Sequence, residues 1–394
     1  MFKQQRENFT ATPKLEIKEV AKNIKRKTMQ IAVDQSIDLA LNENQYGVAP
    51  KIEEALKTID IATISTYRKT PKFKSKLTAL HNVDASNIYI TVGAEDALRS
   101  IFANSYLKNN GSGNVLISDI SWPYYTELAQ NYLVSLNNFS LNEELYCYQF
   151  DVAEIIKAIH THNPSVILLD SPHNPTGCQL EDDRIIEIYS AMNADRILVI
   201  DETYFEFSNR DDNRGELVQQ LDNVVFIRSF SKYYGLAGLR IGYMLLGKGA
   251  RAKLNLHDSY LGFNAIADEI ACIALENRGF YTAIAAQLNQ QKESLFNFLR
   301  DIEQIVPYQS SANFLLVKFG KQNPLCATHY VEFMARHGIQ LKLYSQGKLA
   351  NSVRITIGTP EQMRYLKRLS NEYLQLHQLF NMEAYCSLAC PLTA

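Results

Sequence analysis

From about Asn87 onward, short runs of β-branched and other apolar residues alternate with longer stretches of helical periodicity. The short runs predict buried strands, and the longer stretches predict the helices that connect them. The predicted strands are Ile88–Val92, Val115–Ser118, Val166–Asp170, Ile197–Asp201, Val224–Phe230 and Ile241–Leu246. This alternation indicates an α/β domain in which helices cover the faces of a mostly parallel sheet.

The pattern changes after about Asn264. A long helical region is predicted through Asp301, and a final helix is predicted from Pro360 to about Leu379. The strands predicted between these two regions are Phe314–Phe319, Ile339–Leu343 and Val353–Ile357. The arrangement predicts a second, smaller α+β domain that follows the first.

Both ends of the chain lie outside this pattern. Lys14–Lys27 is rich in lysine with apolar residues at helical spacing, which indicates an amphipathic surface arm or a helix that touches a membrane. Near the other end, the spacing of Cys386 and Cys390 would place two thiols on one helical face, open to a disulfide or a metal contact. No cluster of histidines accompanies them, so we expect no metal site.

Composition limits the classes of protein. Of the 394 residues, 46% are hydrophobic, which is enough to fill two cores without metals or disulfides. A net charge of -2 leaves no excess of lysine and arginine for nucleic acid. The six cysteines make no disulfide framework in a chain of this length, and no apolar run approaches the roughly 20 residues that span a bilayer. We therefore expect a cytoplasmic protein without a nucleic-acid or membrane partner.

The motif most informative about chemistry runs from Ser229 to Gly242, at the end of a predicted buried strand. It contains hydroxyls at Ser229 and Ser231, an amine at Lys232 and a guanidinium at Arg240. This set suits an aldehyde that bears a phosphate, because the lysine can form a Schiff base while the hydroxyls and the guanidinium hold the phosphate. A basic loop at a strand end would contain the same residue types.

Three further motifs lie at predicted strand ends. Ser171–Gly177 follows the strand that ends at Asp170, at the edge where open α/β sheets hold their ligands. Asp201 and Tyr204 put a carboxylate and a phenol at the same edge, and a pyridinium nitrogen would give that carboxylate the charged partner it needs. Val92–Ala97 opens a helix whose first NH groups would receive a phosphate. Turn and capping chemistry alone would also explain the first and last motifs.

Taken in order, these motifs resemble the class I and II aminotransferases of fold type I, which use pyridoxal 5'-phosphate. The residues that carry the resemblance are Asn174-Pro175-Thr176-Gly177, Asp201, Tyr204, Ser229–Lys232 and Arg240. With Leu41–Gly47 and Val353–Thr359, the chain is most similar to the histidinol-phosphate aminotransferase group. The resemblance runs from about Asp38 to Leu379.

The resemblance implies an α/β fold with a large domain and a smaller α+β domain, and a homodimer with shared sites. The large domain is expected to contain a mostly parallel, mixed sheet of the seven-stranded type flanked by helices. The expected division of the chain is an N-terminal arm (1–37), a segment of the small domain that lines the substrate site (38–62), the large cofactor-binding domain (63–264), the C-terminal small domain (265–380) and a tail (381–394).

The resemblance also implies roles around the cofactor ring. Lys232 would carry the cofactor and then move the proton between the substrate Cα and the cofactor. Asp201 would keep the ring nitrogen protonated, and Asn174 and Tyr204 would bond to the phenolic oxygen. Trp122 matches an aromatic residue that stacks on the ring, although the single tryptophan of the chain would also suit a core.

For the cofactor phosphate, the residues implied are Ser229, Ser231, Arg240 and the backbone NH groups of Ala94 and Glu95. Tyr67 matches a tyrosine that reaches the phosphate in the neighbouring subunit. The alternative interpretation of Tyr67 is a tyrosine in a surface loop.

Substrate binding is implied for three residues. Arg354 would hold the substrate's carboxylate or, in the histidinol-phosphate enzymes, its phosphate, and a salt bridge at a sheet edge is the alternative. Tyr46 and Asn174 would line the same pocket. Near Lys342 the family commonly has a second phosphate-binding arginine, and a lysine lacks the fork geometry of a guanidinium. This departure weakens the match to histidinol phosphate itself.

The function expected is transfer of an amino group between an amino acid or amino alcohol, phosphorylated or not, and a 2-oxo acid such as 2-oxoglutarate. A decarboxylase or lyase that resembles the threonine-phosphate decarboxylases would use the same lysine chemistry. A noncatalytic binding protein is the third hypothesis, and the complete set of site residues argues against it. A nicotinamide enzyme is disfavoured because no dinucleotide glycine fingerprint opens the first strand and helix.

Overall fold

The computed structural model describes residues 36–108, 113–320 and 326–388, with 106–108 and 377–388 described by their backbone alone. The predicted segment Lys14–Lys27, Cys390 and the side chain of Cys386 lie outside the described part of the chain. None of the described helices is both long enough and apolar enough to cross a membrane. Within the same residues, no three His, Cys, Asp or Glu side chains are grouped to hold a metal ion.

The described residues form fifteen strands, thirteen α-helices and four short 3-10 turns. The strands are β1 (Ile37–Asp38), β2 (Ile88–Thr91), β3 (Asn114–Ser118), β4 (Ser135–Phe139), β5 (Leu141–Glu144), β6 (Cys147–Phe150), β7 (Val166–Asp170), β8 (Ile197–Asp201), β9 (Val224–Ser229), β10 (Gly242–Leu246), β11 (Ile305–Pro307), β12 (Phe314–Phe319), β13 (Ile339–Gln340), β14 (Lys342–Tyr344) and β15 (Ser352–Thr356). The helices are α1 (Pro50–Thr58), α2 (Ala62–Ser65), α3 (Lys72–His81), α4 (Gly93–Lys108), α5 (Pro123–Asn131), α6 (Val152–His162), α7 (Asp182–Ser190), α8 (Arg214–Gln220), α9 (Lys248–Lys253), α10 (Ala265–Glu276), α11 (Arg278–Arg300), α12 (Ala327–Arg336) and α13 (Pro360–Leu388). The 3-10 turns are Ala85–Asn87, Phe205–Phe207, Ala237–Leu239 and Gly347–Leu349.

The central sheet has seven strands in the order β2-β10-β9-β8-β7-β3-β4. Strand β10 runs antiparallel to both of its neighbours, and the other pairs are parallel. This confirms the predicted α/β fold with a mostly parallel, mixed seven-stranded sheet. Strands β7 and β8 are buried along their whole length because both faces of the sheet are covered, which explains their continuous apolar runs.

The parallel strands bring the predicted motifs to one edge of the sheet. Asp170 ends β7, Asp201 ends β8 and Ser229 ends β9. The pairing of β7 with β8 sets Asp170 directly beside Asp201. The carboxyl ends of parallel strands therefore define the edge at which a ligand site is expected.

A smaller sheet has four antiparallel strands in the order β11-β12-β15-β14. Nearby, β1 pairs in parallel with β13, and Leu39 continues this attachment because its NH donates to the Gln340 carbonyl at 2.9 Å. Residues 37–42, which we call the strap, thus join the start of the described chain to its C-terminal part. The domain boundaries expected from the sequence stay predictions.

Several elements differ from the predicted ones for local reasons. The pattern does not reveal β4, because this edge strand carries polar residues such as Asn137. The predicted long helix is divided at Asn277, whose backbone leaves the helical conformation between α10 and α11. The predicted strand Ile339–Leu343 is interrupted, giving β13 and β14, and the final helix extends past Leu379 to Leu388.

Candidate active site

A cavity of about 350 Å³ opens at the carboxyl ends of the central strands. Most of the predicted site residues line it, although they come from segments far apart in the chain. The predicted residues in its lining are Ala94, Glu95, Trp122, Asn174, Asp201, Tyr204, Ser229, Ser231, Lys232, Arg240 and Arg354. The two predicted residues outside the lining are Tyr46 and Tyr67.

Lys232 follows β9 and directs its amine into the cavity. Its Nζ donates to the Leu41 carbonyl in the strap at 2.7 Å. Burial, together with the nearby guanidinium of Arg354, lowers the pKa of Lys232 to about 8. A lysine with a lowered pKa is more often neutral near pH 7, and the neutral amine is the nucleophile that attacks a carbonyl.

Asp201 is a buried carboxylate, 5% exposed, that is held by neutral donors. One carboxylate oxygen accepts from the Thr203 hydroxyl at 2.7 Å, and the other accepts from the Tyr125 hydroxyl at 3.1 Å. Burial raises the pKa of Asp201 to about 6. No lysine or arginine of the described residues forms an ion pair with it. A buried carboxylate in this state fits a cationic ligand group, such as a protonated pyridine nitrogen.

Arg354 projects from β15 and contacts Asn174 in the loop after β7. Its Nη1 donates to the Asn174 side-chain oxygen at 2.6 Å, and its Nη2 donates to the Ala40 carbonyl at 2.6 Å. Its Nε is buried without a hydrogen-bond partner. Among the described residues Arg354 forms no ion pair with a carboxylate, so the alternative of a sheet-edge salt bridge has no partner here.

Tyr204 is a buried residue that lines the same cavity as Arg354. Its hydroxyl accepts from the Asn42 side-chain amide at 2.9 Å, and burial raises its pKa to about 12. The phenol therefore keeps its proton and is available as a hydrogen-bond donor toward the cavity.

The anion-binding part of the cavity lies where α4 begins. Gly93 has a positive φ, and a Cβ there would lie 2.9 Å from the Arg240 Nη2 atom, so glycine keeps this space open. The other Nη atom of Arg240 is 3.5 Å from the Ser231 hydroxyl, and the Ser231 NH donates to the Ser229 hydroxyl at 3.2 Å. The Glu95 carboxylate lies 3.3 Å from Arg240. Guanidinium, hydroxyls and a helix N-terminus are the donor set that a phosphate requires.

Three predicted aromatic residues are placed differently. Trp122 precedes α5 and lines the cavity. The residue is 36% exposed and its ring centroid lies 4.8 Å from that of Tyr124, so it is not a core tryptophan. Tyr67 is 75% exposed, as the surface-loop interpretation expects within a single chain. Tyr46 is half-buried, and its hydroxyl donates to the Gly358 carbonyl at 3.4 Å.

The cavity also contains residues that the sequence did not single out. They are Leu41, Asn42, Tyr125, Asp170, Thr203 and Ala237. Each of them lies inside or next to a motif that was recognised, so proximity to a motif is the signal that could have found them. Their contacts join residues as many as 314 positions apart, and no local pattern reveals such a contact.

The side chains together fit one kind of ligand. A nucleophilic lysine, a buried carboxylate without a cationic partner, and an anion cradle at a helix N-terminus match the aldehyde, ring nitrogen and phosphate of pyridoxal 5'-phosphate. The fold and the site therefore define a pyridoxal 5'-phosphate enzyme of fold type I.

Comparison with known proteins gives the family. Residues 34–368 match the model of the aminotransferase class I and II family, and the chain belongs to that family. It is 28% identical over 358 residues to histidinol-phosphate aminotransferase 2 of Oceanobacillus iheyensis, covering 89% of this chain and 94% of that protein. It is 30% identical over 336 residues to a histidinol-phosphate aminotransferase of Pelagibacter ubique, covering 84% and 90%.

A solved structure agrees with this assignment at the level of the fold. The histidinol-phosphate aminotransferase of Sinorhizobium meliloti, in complex with pyridoxal 5'-phosphate, superimposes with a TM-score of 0.74 at 24% identity, covering 84% of this chain and 89% of that one. Family membership confirms that the chain is an aminotransferase that uses pyridoxal 5'-phosphate. It also disfavours a noncatalytic binding protein.

Proposed function

We propose that this aminotransferase moves an amino group between a 2-oxo acid such as 2-oxoglutarate and an amino acid or amino alcohol of the histidinol phosphate kind. The observation that carries the proposal is the position of Arg354. Its guanidinium meets Asn174 inside the cavity that contains Lys232, and its buried Nε has no partner. A guanidinium held in this way is suited to bind an anionic group of the substrate while the amine reacts.

The residues of the chain divide the remaining work. When bound, pyridoxal 5'-phosphate supplies an electron sink for the substrate carbon that bears the amino group. Lys232 would hold the cofactor aldehyde and would move the proton at the substrate Cα. Asp201 would hold the proton on the ring nitrogen. Asn174 and Tyr204 would donate to the phenolic oxygen of the ring.

Binding of the other parts of the cofactor falls to residues at the cavity wall. Trp122 lines the cavity and would stack on the ring. The residues that hold the phosphate are Ser229, Ser231, Arg240 and the backbone NH groups of Ala94 and Glu95.

A second anionic group on the substrate is supported by Lys342. The pairing of β14 with β15 sets Lys342 directly opposite Arg354, so both side chains leave the same face of the small sheet. Lys342 is exposed, and its Nζ lies 6.0 Å from the Tyr344 ring centroid. A phosphate or carboxylate that reaches beyond Arg354 would meet this point charge, and Tyr46 would line the same side.

The oligomeric state and location belong to the same proposal. We infer a homodimer in which Tyr67 reaches the phosphate of the neighbouring subunit. Exposed apolar side chains near Tyr67 support an interface there, and they are Ile61, Ile64, Tyr260 and Leu261. We further propose a cytoplasmic enzyme with a large domain over 63–264 and a small domain formed by 38–62 and 265–380.

The test follows the near-visible absorbance of the purified protein with pyridoxal 5'-phosphate while glutamate, histidinol phosphate and other amines are added singly. Loss of the band with histidinol phosphate, and its return with 2-oxoglutarate, would support the proposal. Release of carbon dioxide instead would identify a decarboxylase, and a band that no amine changes would contradict the proposed substrates.

Two lysine variants check the attachment site. Lys232→Ala should lack the band of the covalently attached cofactor. Lys292→Ala is the matched control, because burial also lowers the pKa of Lys292 to about 8 but its Nζ bonds to the Ala312 carbonyl outside the cavity. It should keep the band.

A further inference from the structure

A second carboxyl group lies beside Asp201 on the floor of the cavity. Asp170 ends β7 as Asp201 ends β8, and the two residues are direct neighbours in the parallel pairing. Each is 5% exposed, and both line the cavity. The role proposed for Asp201 uses only one of these carboxyl groups, so the second requires its own explanation.

Asp170 anchors the loop that carries Asn174. One of its carboxylate oxygens accepts from the Asn174 NH at 2.8 Å. Its other oxygen lies 3.6 Å from Nε2 of His173, and that nitrogen is buried without a hydrogen-bond partner. Nδ1 of the same imidazole is 2.8 Å from the Thr176 hydroxyl. Burial lowers the pKa of His173 to about 4, so the imidazole is neutral and does not balance the charge of Asp170.

Among the described residues the two carboxyl groups have no direct cationic partner, although Lys232, Arg240 and Arg354 line the same cavity. No lysine or arginine of the described residues forms an ion pair with either group. The titratable groups that face them, besides each other, are Tyr125 from α5, Tyr204 after β8, and His173 and Cys178 from the loop after β7. All four are neutral at pH 7, because burial raises the pKa of both tyrosines and of the thiol. Two carboxylates in such a place cannot both ionise without a large cost.

We propose that Asp170 is a positioning residue that shares one proton with Asp201 and holds Asn174, so that the pair presents a single negative charge to the ring nitrogen of the cofactor. The inference rests on the role proposed above for Asp201. As a positioning residue, Asp170 itself would touch neither substrate nor cofactor. It acts through the charge of Asp201 and through the position of Asn174.

The titration behaviour of the pair is consistent with the geometry. Burial raises the pKa of Asp170 to about 7 and that of Asp201 to about 6, and the nearby Asp170 charge adds to the rise for Asp201. Both values lie above the value of an unfolded aspartate, about 4. The folded chain therefore retains protons that the unfolded chain has already released. The stability that these two carboxyl groups contribute is fully present below about pH 4 and is lost as the pH rises through about 6 to 7.

The test compares the thermal midpoints of wild type and Asp170→Asn, both full length and freed of cofactor, from about pH 5 to about pH 8. The amide keeps an oxygen that accepts from the Asn174 NH but cannot ionise. We expect the midpoint of Asp170→Asn, relative to wild type, to rise with pH up to about pH 7 and then to level off. A constant difference would mean that Asp170 has only a structural role, and would overturn the inference. Asp195→Asn, at a side chain that is 67% exposed, is the matched control and should give no such trend.

Asp201→Asn tests whether the proton is shared. Without the neighbouring charge, Asp170 should titrate at lower pH. The difference in thermal midpoint between Asp201→Asn and the double variant Asp170→Asn/Asp201→Asn should therefore change less between about pH 5 and about pH 8. A trend as large as the one measured in the wild-type background would show that Asp170 titrates alone, and would contradict the sharing.

Restoring the cofactor separates this inference from the proposed function. A positive ring nitrogen beside the pair favours the ionised carboxylates. The pH range over which the midpoint difference between Asp170→Asn and wild type changes should therefore move to lower pH when the near-visible band is present. If the band forms and the trend stays in place, the pair does not face the ring nitrogen. If no band forms, the attachment to Lys232 fails, and the cofactor-free measurement still decides whether the proton is shared.

Discussion

Two groups of buried acidic residues lie at the ends of the same strands, and they differ in whether their carboxyl groups have cationic partners. Toward the cavity, Asp170 and Asp201 have hydroxyl, amide and imidazole neighbours and, within the described residues, no lysine or arginine partner. On the opposite side, Glu202 lies between two guanidinium groups, with Arg214 at 2.6 Å and Arg228 at 2.7 Å. Asp201 and Glu202 are consecutive residues at the end of β8, so the two arrangements adjoin along the chain.

The group around Glu202 is a network in which each guanidinium has more than one carboxylate partner. Arg228 also reaches Asp212 at 3.1 Å, and Arg214 also reaches Asp182 at 2.7 Å. Such a network fixes the loops behind the strands and leaves no charge for a ligand. Burial and charge alone therefore do not identify the ligand-binding side of a sheet. Within the described residues, that side is identified by buried carboxyl groups that have no lysine or arginine partner.

The largest effect expected on the cavity side is that of Asp201→Ala. Without a carboxylate to keep the ring nitrogen protonated, turnover should fall by about 10²–10⁴-fold, the range typical of a lost proton-transfer group. The cofactor band should remain, because Lys232 and the phosphate cradle are unchanged. Steady-state kinetics and absorbance on the same sample check this. A loss of turnover below tenfold would contradict a special role for the carboxylate on the cavity side.

Glu202→Ala is the corresponding change on the network side. It leaves two buried guanidinium groups short of a partner and should lower the free energy of unfolding by about 3–5 kcal/mol. Turnover per folded molecule should change little. Urea denaturation measures the loss, and Glu187→Ala, which removes the exposed pair with Arg184, should cost no more than about 1 kcal/mol. Equal losses in both variants would contradict the structural role of the network.

Arg354→Lys should have a smaller effect that falls on substrate binding. The lysine keeps the charge but loses the two hydrogen bonds to Asn174 and the Ala40 carbonyl. Loss of a charged hydrogen bond worth about 1.5–3 kcal/mol corresponds to a rise in KM of roughly 10–100-fold. Arg368→Lys, at an exposed position on α13, is the control and should leave KM unchanged. A change in kcat alone would assign Arg354 to another role.

The smallest effect expected is a pH dependence at Lys232. Because burial lowers its pKa to about 8, the neutral fraction of the amine rises roughly fivefold from pH 7 to pH 8 and only about twofold more above pH 8. The rate at which cofactor-free protein gains the absorbance band should follow this curve. An ordinary lysine would instead continue to gain rate up to about pH 10.

The fold was predictable where burial is complete. Strands β7 and β8 have the predicted bounds because both of their faces are covered, so no polar residue interrupts the run Val166–Asp170 or Ile197–Asp201. Edge strand β4 was not predicted because its residues are largely polar. A local hydrophobic pattern therefore predicts strands that are buried on both faces. It does not predict strands of which only one face or one edge is covered.

The site was predictable for residues at the ends of buried strands. Asp201 and Lys232 belong to motifs that carry their own chemistry. Asn42 and Tyr125 could not be found in this way, because their hydrogen bonds to Tyr204 and Asp201 join segments that only the folded chain brings together. Family resemblance gave Tyr67 a role that depends on a second subunit, so a single chain does not test it.

The strap has a consequence for how this chain can vary in length. Residues 40–42 are consecutive, and each contacts a different functional side chain, namely Arg354, Lys232 and Tyr204. Two of the three contacts use backbone carbonyls, so they do not depend on which side chains stand at 40 and 41. One inserted or deleted residue would displace all three by about 3.3–3.6 Å, more than the length of a hydrogen bond. In descendants of this sequence, substitutions at these two positions should therefore accumulate far more readily than gaps.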